Sequence, residues 1–125
     1  MTHPLWEGVD KLRQANKEYA VTIELMRQTA NEWLECEDMP AEMHDYARYR
    51  LMLASMYEEQ IAHDERYLNE VFTEDGWYRG SKNFGQPLPD DGWKEFQAEV
   101  HRMEERDKEL WEGLKAKGYV TDELD

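Results

Sequence analysis

The chain has 125 residues, a formal net charge of −14 and a single cysteine, Cys36. That length suits one domain with its own core and is too short for two ordinary ones. A lone thiol closes no internal disulfide and fits a reducing compartment, and so acidic a chain lacks the basic footprint that direct nucleic-acid binding normally needs.

Hydrophobic residues make up 40 %, with five Trp, seven Tyr and three Phe, which argues against global disorder. The stretch Met1 to Glu7 has neither a basic n-region nor an apolar h-region, so no signal peptide is expected. The longest apolar run, Leu51 to Ala54, is far too short to span a bilayer. A cytoplasmic protein with no membrane partner is the expectation.

The first element is predicted from about Pro4 to Glu37. Leu5, Val9, Leu12, Tyr19, Ile23, Met26, Ala30 and Trp33 alternate at spacings of three and four, and Asn16 is the polar member of the seam. This heptad stripe predicts a long helix in antiparallel or supercoiled packing. Pro4 suits a first turn. Asp38-Met39-Pro40 is the break, and so short a connection turns the next helix back as an αα-hairpin.

The second helix is predicted from about Pro40 to Phe72, with a stripe of Met43, Ala47, Arg50, Ala54, Tyr57, Ile61, Asp64, Leu68 and Val71. Tyr46, Tyr49, Leu51, Met52, Leu53 and Met56 make its middle apolar around most of the girth. Such a helix is usually central and touches more than one neighbour. A second subunit is one neighbour it leaves room for.

Between Thr73 and Pro89, Gly76, Gly80, Gly85 and Pro87 break every period, which predicts a loop over 73–90. Long loops are functional more often than short connectors. Trp77, Tyr78, Arg79 and Phe84 in it belong to residue types common at binding hot spots, and they are candidates for partner contact or for pinning the loop to the bundle.

The third helix is predicted from about Asp91 to Lys117, capped by Asp90 or Asp91 and stopped at Gly118. Its stripe is Trp93, Phe96, Val100, Met103, Asp107, Leu110 and Leu114. An acidic tail follows from 118 to 125. The fold class is therefore all-α, one domain, a three-helix antiparallel bundle that leaves dimerisation open.

Four polar residues, Asn16, Arg50, Asp64 and Asp107, fall on apolar stripes. Buried charges need partners, so Arg50 is expected to pair with Asp64 or Asp107 and to fix helix register. Glu32, Glu35, Glu37, Asp38, Glu42 and Asp45 surround the hairpin apex with no Lys or Arg among them. A second acidic group on the second helix, Glu58, Glu59, Asp64 and Glu65, could lengthen this track. Carboxylates along helices present the regular negative charge that the Lys/Arg groove of a nucleic-acid-binding protein accepts from phosphates.

Metal chemistry has little footing. Glu59 and His63 are four apart, not the Glu-x-x-His of di-iron bundles, and all four histidines read as isolated and exposed. Glu32-x-x-Glu35, Glu42-x-x-Asp45 and Glu104-x-x-Asp107 echo only fragments of a Mg²⁺-pyrophosphatase pattern. No phosphate loop, zinc set or nucleophile signature is present. No cofactor, catalytic residue or metal ligand is assigned.

The leading expectation is a non-enzymatic acidic inhibitor or nucleic-acid mimic that docks on a basic, nucleic-acid-binding protein. Inhibitors encoded by phages and mobile elements share this general character. A self-associating helical adaptor is the alternative, and a Mg²⁺-dependent carboxylate enzyme is third.

Overall fold

A computed structural model describes residues 4–71 and 92–121, with side chains over 7–70 and 92–121. Within them the chain forms α1 (Pro4–Glu35), α2 (Ala41–Val71) and α3 (Trp93–Ala116), and no strand. The predicted loop, with Trp77, Tyr78, Arg79 and Phe84, lies outside the described residues, as does the end of the tail.

Each helix ends for a local reason. The Cys36 amide bonds the Trp33 carbonyl at 3.1 Å, which tightens the last turn and stops α1 two residues before the expected end. Pro40 stands outside α2, and its carbonyl accepts the first bonds, from Met43 at 3.0 Å and His44 at 3.2 Å. The N-cap of α3 is Gly92 in the left-handed region (φ 62), with no side-chain cap bond, so the expected aspartate cap gives way to a glycine. At the other end Gly118 (φ 79) donates to Lys115 and Tyr119 donates to Leu114, both at 3.0 Å. This is a Schellman stop, made possible by the absent Cβ.

The αα-hairpin and the central position of α2 stand as expected. α1 runs antiparallel to α2, and α3 packs antiparallel on α2, whereas α1 and α3 barely touch each other. The α1 stripe explains why. Every seventh residue, Val9, Asn16, Ile23 and Ala30, is buried on α2. The interleaved column is less covered: Leu12 and Tyr19 are 43 % and 39 % exposed, and Met26 and Trp33 are half-buried. That second column is only partly covered: Tyr19 meets the Tyr57 ring edge-on at 5.5 Å, Met26 packs against the central core, and Trp33 lies against Tyr46.

The central core joins Ile23 of α1, Leu53, Ala54 and Tyr57 of α2, and Val100 and Met103 of α3. Two polar bonds fix its register. The Tyr49 hydroxyl donates to the Met103 carbonyl at 2.8 Å, and the Tyr57 hydroxyl donates to Glu104 at 2.8 Å. Glu104 and Asp107 are thus engaged separately, Asp107 by Arg50 at 3.3 Å. Asp64 does not compete for that arginine. Its neighbour is His63 at 3.9 Å, and burial pushes its carboxyl up. Asn16 donates to Glu65 at 3.2 Å, which anchors the far end of the hairpin.

Burial raises the phenols of Tyr46 and Tyr57 above their ordinary 10.0, and the Glu104 carboxylate raises Tyr57 further. The folded state therefore holds these protons more tightly than the unfolded state. Their contribution is whole below pH 10.0 and lost as pH rises above it, at up to about 1.4 kcal/mol per unit for each phenol. An ultraviolet titration will show these two phenols ionising only as the chain unfolds. Tyr57→Phe will shift the onset of alkaline unfolding upward.

Gly113 sits inside α3 with open space where a Cβ would lie. Gly113→Ala is expected to add about 0.5–1 kcal/mol, read as a higher urea midpoint with unchanged slope.

Candidate functional site

The hairpin apex is built on an apolar plug. Met43, Tyr46 and Leu114 are buried there, with Trp33, Met39, Leu110, Trp111 and Val120 packed around them. The Tyr46 ring stands between two tryptophans, 6.0 Å from Trp33 and 5.7 Å from Trp111, so it bridges all three helices. Above the plug the chain turns tightly, with the Met39 amide on the Cys36 carbonyl at 3.2 Å. His44 Nε2 also lies 2.8 Å from that carbonyl, and since a carbonyl only accepts, this nitrogen carries the proton. Two bonds on one oxygen hold Glu37 and Asp38 out at the tip.

The acids of the apex divide into two groups. Glu42 pairs with Lys117 at the end of α3, and Asp45 pairs with Arg48 at 2.9 Å. The Glu42 carboxylate raises the Lys117 ammonium above its ordinary value. On the α1 side, Glu32, Glu35, Glu37 and Asp38 are exposed and form no ion pair within the described residues. Glu32 and Glu35 also sit in the last turn of α1, which has no basic residue. Negative charge there opposes the partial charge of the free carbonyls.

The candidates on α2 stand apart from the apex. Glu58 is taken by Arg27 of α1 at 2.5 Å, and that guanidinium holds its carboxyl below the ordinary range. Glu59 is exposed beside a hollow of about 340 Å³ that it lines with His63, Arg66, Trp93 and Phe96. An unpaired acidic track therefore does not run through Glu58. His63 also departs from the expected exposed histidine. Its ring stacks on Trp93 at 3.7 Å with planes 2° apart, and its side chain is only 13 % exposed.

Pattern reading missed a groove on the open side of the bundle, about 340 Å³, lined by Leu25, Met26 and Trp33 of α1, Tyr46 and Arg50 of α2, and Trp111 of α3. Its signal was present in Leu25, an apolar residue off the heptad stripe.

Among the described residues no group of three or more His, Cys, Asp or Glu is placed to hold a metal ion, and no helix is long and apolar enough to cross a membrane. No family model matches the chain, and comparison with curated proteins and with solved structures finds no match.

Proposed function

We propose that this chain is a non-enzymatic binding protein that sets the acidic tip of its α1–α2 hairpin on a basic, nucleic-acid-binding protein and blocks it. One observation carries the reading. Glu32, Glu35, Glu37 and Asp38 lie together without counter-ions in the described residues, while the neighbouring Glu42 and Asp45 are paired with Lys117 and Arg48. Glu32 and Glu35 do so at a helix end where their charge is unfavourable. A solvated surface gains nothing from that placement; a Lys/Arg-lined groove does.

The rigid plug beneath the tip supports the same reading. It fixes the carboxylates before contact, so little ordering entropy is lost on docking. The test is displacement of labelled duplex DNA from basic DNA-binding proteins by the chain, across a salt series. Displacement that weakens steeply with salt is the expected result. Absence of displacement, or a flat salt response, rejects the proposal.

A further inference from the structure

We infer that the groove beside the acidic tip takes an arginine side chain of the basic partner, an inference that rests on the docking reading above. The groove holds about 340 Å³, and three of its walls are the rings of Trp33, Tyr46 and Trp111. Tyr46 stands between the two tryptophans, which are half-buried and so keep part of each ring toward solvent. Along α1 the wall continues as aliphatic surface, with Leu25 56 % exposed and Met26 half-buried. The two kinds of wall match the two parts of an arginine. Its apolar stem covers Leu25 and Met26, and its guanidinium lies against a tryptophan face.

The charges around the groove favour this occupant. Leu25 shares one column of α1 with Glu18 and Glu32, each seven residues away, or about 10 Å along the helix. Both acids are exposed, and neither forms an ion pair within the described residues. The charged residue lining the groove itself is Arg50, which Asp107 neutralises at 3.3 Å. The rim is therefore negative and the floor neutral. A second copy of the chain, or a nucleic acid, brings like charge to that rim. A purely apolar segment takes water from the carboxylates and returns no charge. A cation on an apolar stem satisfies both surfaces. Arginine suits them better than lysine, because its planar, weakly hydrated head stacks on rings. The groove is also continuous with the tip: Trp33 packs on the plug and directly follows Glu32 in the chain. Docking there sets an aromatic and aliphatic centre beside a rim of carboxylates, the arrangement in which hot spots form.

Uncharged substitutions test this while leaving the electrostatics of the tip alone. Trp33→Leu removes the stacking ring, and Leu25→Ser removes the aliphatic wall from an exposed position where folding is unaffected. Each is expected to weaken displacement of duplex DNA from the basic partner about tenfold at every salt concentration, with the salt slope unchanged. Reversing Glu32 and Glu35 changes that slope instead. Met52→Ser is the control, because Met52 is 60 % exposed on α2 and does not line the groove. A second measurement follows the indole N–H resonances of Trp33 and Trp111 as hexa-arginine, or its neutral counterpart hexa-citrulline, is added. Both resonances are expected to move with the first peptide and to stay with the second. Salt-dependent displacement that Leu25→Ser leaves unchanged overturns the inference and spares the tip reading, whereas no displacement by the unaltered chain removes both. Indole resonances that ignore hexa-arginine, or that respond equally to hexa-citrulline, also overturn it.

Discussion

Replacing Glu32 and Glu35 by lysine is expected to raise the thermal midpoint of the chain and, at the same time, to remove its hold on a basic partner. Both acids lie in the last turn of α1, beside Glu37 and Asp38 and without a counter-ion in the described residues. A charge of the wrong sign at an exposed helix end costs about 0.3–1 kcal/mol, and one of the right sign returns a similar amount. The double reversal therefore stabilises by roughly 1–4 kcal/mol, which raises the midpoint by several degrees for a domain of this size. Displacement of DNA from the basic partner should fall at least tenfold in the same protein. Thermal unfolding followed by circular dichroism reads the first effect and the competition assay the second. A raised midpoint with unchanged displacement moves the docking site away from the apex. An unchanged midpoint means the tip carboxylates carry no strain.

Ile23→Ala is expected to cost about 2–5 kcal/mol, whereas Val21→Ala, two positions away, should stay within about 0.5 kcal/mol. Ile23 is 1 % exposed at the junction where α1 meets Leu53, Ala54 and Tyr57, and Val21 is 62 % exposed on the opposite side of the same helix. Truncating Ile23 removes buried methyl groups and opens a hole between two packed helices. A single domain has only about 5–15 kcal/mol of stability, so this one change consumes a large share. Urea unfolding is the measurement. A fall in midpoint with unchanged slope for Ile23→Ala, and little change for Val21→Ala, fixes the rotation of α1 on α2. Equal costs at the two positions mean that α1 is turned differently.

Much of the architecture was legible in the sequence because apolar spacing reports directly on burial. Val9, Ile23 and Ala30 kept their heptad places, the break at Asp38-Met39-Pro40 turned the chain, and the broad apolar girth of α2 matched its place between two neighbours. Spacing does not say which neighbour covers which column, so the half-open column of Leu12, Tyr19, Met26 and Trp33 appeared only with the fold. Partner choice was only partly legible. The stripe reading offered both Asp64 and Asp107 for Arg50, but Asp64 lies about 21 Å along the same helix, out of reach, and Asp107 of α3 takes the arginine. At the apex the stretch from Glu32 to Asp45 is free of cations, yet Lys117 reaches Glu42 from the far end of the chain and Arg48 reaches Asp45 from one turn on. His63 looked isolated because Trp93, the ring it stacks on, belongs to another helix.

α1 and α3 meet almost solely through α2, and this shapes how the chain comes together. The hairpin pairs segments joined by a few residues, so its loop-closure entropy is small and it can nucleate early. α3 must be recruited across a much longer connection, and it gains little from α1 when it arrives. This topology favours assembly in which the hairpin forms first and α3 docks on it, and it makes α3 the element with the least to lose on lifting away.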